Sequence, residues 1–207
     1  MSLIVIGLTG SIAMGKSETA RLFARLGYPV FDADEAVHRL YARGGRAVKA
    51  VAEVFPAAVV EGAIDRTRLA AETVGKPAAL ARLEAIVHPL VRKKEKAFLK
   101  EARAGGRRLA VLDIPLLYET GRQAEVDKVV VVSAPEPQQQ ARALQRAGMT
   151  AAKLAAIMAR QVPDAEKRRR ADFVIDTSRG LEDAFEQVRD VVDRLLGAAS
   201  KEQAGHA

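Results

Sequence analysis

The chain contains no cysteine, no tryptophan and no asparagine. Without cysteine there is no disulfide, no thiolate nucleophile and no cysteine-based zinc site. Aromatic residues are only 4% of the 207, which argues against a stacking platform for single-stranded nucleic acid. The N-terminal Met1-Ser2-Leu3-Ile4-Val5-Ile6 lacks the basic segment of a secretory signal. Its apolar stretch falls far short of the ~20 residues a membrane-spanning helix needs. These absences lead us to expect a cytoplasmic chain with no membrane partner. Charge of one sign is in surplus: 33 Lys and Arg against 26 Asp and Glu, a net +7. That balance suits an anionic partner and does not choose between nucleic acid, acidic lipid and a phosphorylated small molecule.

What the chain does have is a series of short β-branched runs. Residues 3–9, 30–31, 108–114 ("RLAVLDI"), 126–133 ("VDKVVVVS") and 172–176 ("DFVID") read as strands. Most are continuously apolar rather than alternating, as expected for strands covered on both faces of a parallel sheet. Helical segments at 16–26, 35–41, 138–147, 150–161 and 181–196 separate them, the third and fourth hinged at Gly148. The pattern predicts an α/β doubly wound parallel sheet of about five strands. Residues 43–104 carry no strong strand signal. They read as helices interrupted at 56–65 and broken at Gly75-Lys76-Pro77 and again at His88-Pro89. This stretch is too long for a crossover and is expected to be an inserted subdomain. Residues 197–207 read as a frayed polar tail.

The segment Gly10-Ser11-Ile12-Ala13-Met14-Gly15-Lys16-Ser17 fits G-x-x-x-x-G-K-[ST], with a strand before it and a helix after it. Glycine lets such a loop bend into left-handed conformations and bring backbone N–H groups against phosphates. The helix that follows adds its own unpaired donors. Lys16 is then expected to reach the β- and γ-phosphates of ATP, and the Ser17 hydroxyl to ligate Mg²⁺. A GTPase would read guanine through an Asn-Lys-x-Asp segment, and this chain has no asparagine.

A kinase needs more: a base for the acceptor hydroxyl, cations for the moving phosphoryl group and a cover against water. Asp32 and Asp34 follow the second strand, at the end where ligands of parallel sheets bind. Asp32 is the candidate base, whereas Asp34 reads equally well as a helix N-cap. Asp113 closes "LAVLD", where it serves as a Mg²⁺ carboxylate or as a turn residue before Pro115. Arg142, Arg146 and Arg160, followed by Lys167-Arg168-Arg169-Arg170, form a cluster on the helix pair and are expected to close over ATP as a lid. Singly, each is more simply a solvated residue. His38 and His88 read as structural, and the basic run at Arg92, Lys93, Lys94 and Lys96 as a solvated face or as one turned toward an anionic acceptor.

Taken together, "GLTGSIAMGKS", "VFDAD", "DRTRLA", "LEAIVHPLV", "DIPLLYE", "QQARALQRAGMT" and "RQVPDAEKRRRADFVI" resemble the dephospho-coenzyme A kinase family over most of the chain. The resemblance implies a P-loop kinase-like three-layer fold and ATP-dependent phosphorylation of the 3′-hydroxyl of dephospho-CoA, with Mg²⁺, as the last step of coenzyme A biosynthesis. It implies a core at 1–33, 105–135 and 171–207, a helical acceptor domain at 34–104 and a lid at 136–170. Gly10, Ser11, Ile12, Ala13, Met14, Gly15, Lys16, Ser17 and Glu18 would bind the nucleotide, and Ser17 and Asp113 the metal. Asp32, Lys16 and Arg142 would be catalytic, while Asp32, Asp34, His88, Pro89 and Leu116 would face dephospho-CoA. Three positions depart from the family's habit: Ala13 for Gly, Glu18 for Thr and Thr177 for Asn. Two other readings stay open. One is a nucleoside, nucleotide or shikimate-type kinase on the same scaffold. The other is a non-catalytic ATPase that binds nucleic acid through its +7 charge, although the chain has no recognisable nucleic-acid module.

Overall fold

The computed structural model describes residues 2–204. Among these residues seven strands are formed: β1 (Ile4–Thr9), β2 (Val30–Asp32), β3 (Val59–Val60), β4 (Ala63–Ile64), β5 (Leu109–Asp113), β6 (Lys128–Ser133) and β7 (Phe173–Asp176). Five of them make one sheet in the order β2-β5-β1-β6-β7, and β1, β5, β6 and β7 pair in parallel. The helices are α1 (Lys16–Arg25), α2 (Ala33–Tyr41), α3 (Val48–Val54), α4 (Arg66–Thr73), α5 (Pro77–Ala104), α6 (Glu136–Leu144), α7 (Ala151–Met158), α8 (Asp164–Arg170) and α9 (Leu181–Ala204). Among the described residues no helix is long and apolar enough to cross a membrane.

The chain divides into two compact units, Met1–Val30 with Ala102–Ala207, and Phe31–Glu101. In the first unit, Ile6 and Leu8, Leu109 and Val111, and Val130 and Val132 recur at every second position along β1, β5 and β6. With Ile175 they pack on Leu22 and Phe23 of α1 and on Val188, Val191, Val192 and Leu195 of α9. The intervening Val5, Ala110, Leu112, Val129 and Val131 are buried as well. Burial on both faces is why these strands are apolar without alternation. The register sets Leu8 opposite Asp113, so β5 ends in a carboxylate where the loop after β1 begins.

The second unit is mainly helical. Its one strand pair is the hairpin β3–β4, with Val59 opposite Ile64 and Val60 opposite Ala63. The interruption expected at 56–65 is thus a hairpin. Its turn residues Glu61 (φ 49°) and Gly62 (φ 78°) both lie in the left-handed region, as a two-residue turn of this hand requires.

Two expectations about helix ends need correction. The break at His88-Pro89 does not occur: α5 runs unbroken over 28 residues with Pro89 inside it. Proline there removes one backbone hydrogen bond. The helix is held on both sides of the gap by a buried stripe of Ala79, Leu83, Val87, Val91 and Glu95, each one turn from the next. At the C-terminus, α9 does not stop at Leu196 but continues through Gly197 to Ala204. The added residues are mostly Ala, Lys, Glu and Gln, strong helix formers that offset the roughly 1 kcal/mol penalty of one glycine. The last residues assigned to the frayed tail, 205–207, lie outside the described residues.

Candidate active site

The loop from Gly10 to Ser17 leaves β1 at the centre of the sheet and enters α1. Its shape depends on two backbone positions. Gly15 caps α1 with φ 94° and offers no side-chain cap, so the first amides of the helix stay open to a ligand. Ala13 is also left-handed, at φ 62°. An alanine pays about 1–2 kcal/mol for this where glycine pays nothing, which gives the departure at this position a physical cost. Gly10 is confined by space rather than by φ: a Cβ there would lie 2.6 Å from the Val132 carbonyl oxygen. Gly10→Ala is therefore expected to destabilise the protein by about 1–3 kcal/mol and to weaken ADP binding. Urea unfolding and calorimetry read the two effects.

Lys16 and Asp113, which the sequence assigned separately to the phosphates and to Mg²⁺, lie side by side in the structure. The Lys16 ammonium forms an ion pair with Asp113 Oδ1, with side-chain exposures of 14% and 3%. A water-poor setting makes the lysine charge felt more strongly by an approaching phosphate. Ser17 and Glu18 are exposed at the start of α1. Glu18 sits in the first turn and pairs with Arg21, a charge of the sign that the helix N-terminus favours. Among the described residues no group of three or more His, Asp or Glu forms a metal cage. Mg²⁺ does not need one: it takes one or two protein oxygens and fills its octahedron with water and phosphate. The hard oxygen donors of Ser17 and Asp113 fit that demand.

Beside the loop lies a cavity of about 330 Å³, walled by Ala13, Gly15, Arg142, Thr177, Leu181 and Ala184 among others. Its size suits a flat heterocycle. Arg142 Nη1 donates to Thr177 Oγ1 at 2.9 Å and Nη2 to the Thr177 carbonyl at 2.8 Å. The Thr177 turn is itself braced. Gln187 receives the Asp176 amide and donates to the Asp176 carbonyl, each at 2.8 Å. Partial burial works to raise the Asp176 pKa. The hydrogen bonds from Ser178 and the charges of Arg179 and Arg168 outweigh it and hold the group below its ordinary value.

The basic cluster read from the sequence is not all turned outward: one member is buried. Arg142 and Arg146 line the cavity, and Arg146 and Arg160 are both exposed. Lys167 is fully buried and pairs with Glu119 at 2.8 Å. Arg170 lies 4.2 Å over the Tyr118 ring and bonds Glu166 at 3.1 Å. The run Lys167–Arg170 is the last turn of α8, whose first turn carries Asp164 and Glu166. Its charge pattern serves the helix dipole.

Two glutamines hold the loop, and sequence reasoning gave neither a role. Gln139 Nε2 donates to the Ile12 carbonyl at 2.9 Å, and the Ile12 amide donates to Gln161 Oε1 at 3.1 Å. Both backbone polar groups of Ile12 are thus taken by side chains from α6 and from the loop after α7. Burial marks Gln139 out, at 2% exposed; in "EPQQQA" nothing distinguishes it from its neighbours.

In the second unit Asp32 closes β2, and its Oδ1 accepts the Glu35 amide at 2.9 Å. The N-cap expected of Asp34 therefore belongs to Asp32, and Asp34 lies in the first turn of α2 with its side chain exposed. His38 is exposed on α2, and His88 and Pro89 are exposed on α5. Leu116, in the first unit, is 43% exposed just beyond β5.

Residues 4–183 match the family model described as CoaE: Dephospho-CoA kinase. Proteins named dephospho-CoA kinase include one from Mesorhizobium japonicum, 58% identical over 94% of this chain and 98% of its own length. One from Brucella melitensis is 52% identical over 94% and 96%. Among solved structures, a Thermus thermophilus protein superposes with a TM-score of 0.81 at 34% identity, covering 93% of this chain and 97% of its own. Dephospho-CoA kinase from Campylobacter jejuni, at 22% identity and TM-score 0.65 over 93% and 97%, shares the fold. So does a shikimate kinase from Acinetobacter baumannii, at 16% and 0.51 over 95% of each chain. The match along residues 4–183, with relatives above half identity over nearly the full length, places the chain in the dephospho-CoA kinase family.

Proposed function

We propose that the protein transfers the γ-phosphoryl group of ATP to the 3′-hydroxyl of dephospho-CoA, giving CoA and ADP. The observation that carries the reading is the Lys16–Asp113 pair beneath a loop bent by Ala13 and Gly15, in a chain of this family. Phosphoryl transfer asks the protein mainly for position and charge. The amides from Gly15 into α1 face the phosphates. The Lys16 ammonium meets the oxygens on which negative charge spreads in the transition state. Ser17 and Asp113 are the residues that would hold Mg²⁺, which when bound would neutralise phosphate charge. The cavity beside Arg142 and Thr177 takes the adenine, with the guanidinium plane against the base. This assignment moves Arg142 from the phosphoryl group to the base.

Asp32 ends a strand at the side of a parallel sheet where ligands bind, and it is our candidate for the group that takes the proton of the 3′-hydroxyl. Residues 34–104 form the acceptor domain and 136–170 the cover over ATP in this reading. The compact, mainly helical unit Phe31–Glu101 supports the first assignment. The grip of Gln139 and Gln161 on the loop supports the second. Asp34, His88, Pro89 and Leu116 are assigned to dephospho-CoA, and the exposure of all four leaves them available to it. With ATP as donor, the reaction belongs in the cytoplasm.

An ADP-release assay with dephospho-CoA tests the reading, with the product identified by mass. We expect turnover with dephospho-CoA and none with nucleosides or shikimate. Equal turnover with a nucleoside or with shikimate overturns it.

A further inference from the structure

We propose that Thr177 is a positioning residue for the nucleotide: its hydroxyl locks the plane of the Arg142 guanidinium at the cavity and ties it to the backbone of the phosphate-binding loop. The proposal rests on the ATP reading of that cavity.

A hydroxyl has one proton to give, and arginine only donates. Thr177 Oγ1 must therefore accept from Arg142 Nη1, at 2.9 Å. Its own proton is left for one of two carbonyls, Met14 at 2.8 Å or Ser133 at 3.4 Å. The shorter contact wins. The result is a directed chain from the Arg142 N–H through the Thr177 O–H to the Met14 carbonyl, which belongs to the peptide joining Met14 to Gly15. Nη2 donates separately to the Thr177 carbonyl at 2.8 Å, while the Thr177 amide donates to Ser133 at 2.9 Å. Two bonds from one guanidinium to one residue fix its plane as a single bond does not.

Thr177 is 9% exposed, so water competes poorly for these bonds. It also touches the loop directly, since a Cβ placed on Gly15 would lie 3.1 Å from both Thr177 Cγ2 and Oγ1. The Gln187 brace on Asp176 presets the turn from below. The side chain that departs from the family habit thus links the base side of the cavity to its phosphate side. Without the hydroxyl, Arg142 keeps one anchor and gains rotational freedom, and the nucleotide must order it on binding.

Valine and serine separate the two halves of the threonine side chain. Thr177→Val keeps the shape and deletes the hydroxyl, while Thr177→Ser keeps the hydroxyl and deletes a methyl. ADP affinity measured by calorimetry, without acceptor, is expected to fall about tenfold or more in Thr177→Val. In Thr177→Ser it is expected to stay within about threefold of wild type, because the bond to the charged group survives. In steady state the Thr177→Val loss falls on KM for ATP, with kcat and KM for dephospho-CoA little changed. In an Arg142→Ala background, Thr177→Val should cost nothing further. The proposal is overturned if serine is as damaging as valine, which marks packing, or if the valine loss persists undiminished without Arg142. Should wild type bind ADP yet transfer nothing to dephospho-CoA, the activity assignment fails alone, and the serine–valine comparison still decides the role of Thr177. Absence of ADP binding by wild type overturns both.

Discussion

Lys16→Ala is expected to lose about 10²–10³-fold in kcat, the loss seen when one preorganised donor to a developing negative charge is deleted. Lys16 enters α1 at its N-terminus with a side chain only 14% exposed, so bulk water is poorly placed to replace the ammonium. A second effect comes from the partner. Asp113, 3% exposed at its side chain, would lose the cation beside it, and removing one member of a buried pair costs about 3–5 kcal/mol. At roughly 2–4 °C per kcal/mol for a protein of this size, the melting temperature should fall visibly. The two effects separate in the double variant. Asp113→Asn added to Lys16→Ala removes the charge that this cation balanced, so part of the melting temperature should return while turnover stays low. An unchanged kcat in Lys16→Ala would sink the phosphate-binding assignment of this loop.

How much of this was legible beforehand follows from the range of each signal. The sheet was legible because burial on both faces writes itself into contiguous runs such as "LAVLD" and "VVVVS", and the loop because its glycines and Lys16 must be neighbours in sequence. The hairpin β3–β4 was not, since its left-handed turn is built on Glu61-Gly62 rather than on the asparagine–glycine pair that signals it. The unbroken α5 was hidden for the opposite reason: a local rule about proline is overridden by a buried stripe spaced over the whole helix. In the site, the contacts missed are the long-range ones. The Ile12 backbone meets Gln139 and Gln161 across 127 and 149 positions of chain, and Met14 meets Thr177 across 163. No spacing rule reaches that far. The basic run at Lys167–Arg170 misled because charge in sequence does not say which member is turned inward; the buried one serves Glu119.

Asp32→Asn is expected to lower kcat by about 10²–10⁴-fold, the usual worth of a positioned general base, and to leave ADP affinity unchanged. The substitution is chosen from the structure. Asp32 Oδ1 accepts the Glu35 amide at 2.9 Å and caps α2. Asparagine caps as well as aspartate does, whereas alanine would cost about 1 kcal/mol of helix stability and blur a catalytic loss with a structural one. Asparagine keeps the carbonyl oxygen for Glu35 and cannot take the proton of a hydroxyl. The fold and the cap should therefore survive while the base is gone. Asp34→Asn is the companion experiment. Asp34 is exposed in the first turn of α2 and does not cap it, so its loss should appear in KM for dephospho-CoA more than in kcat. If Asp32→Asn turns over at the wild-type rate, the proton is taken elsewhere. A matching collapse of kcat in Asp34→Asn would name that residue instead.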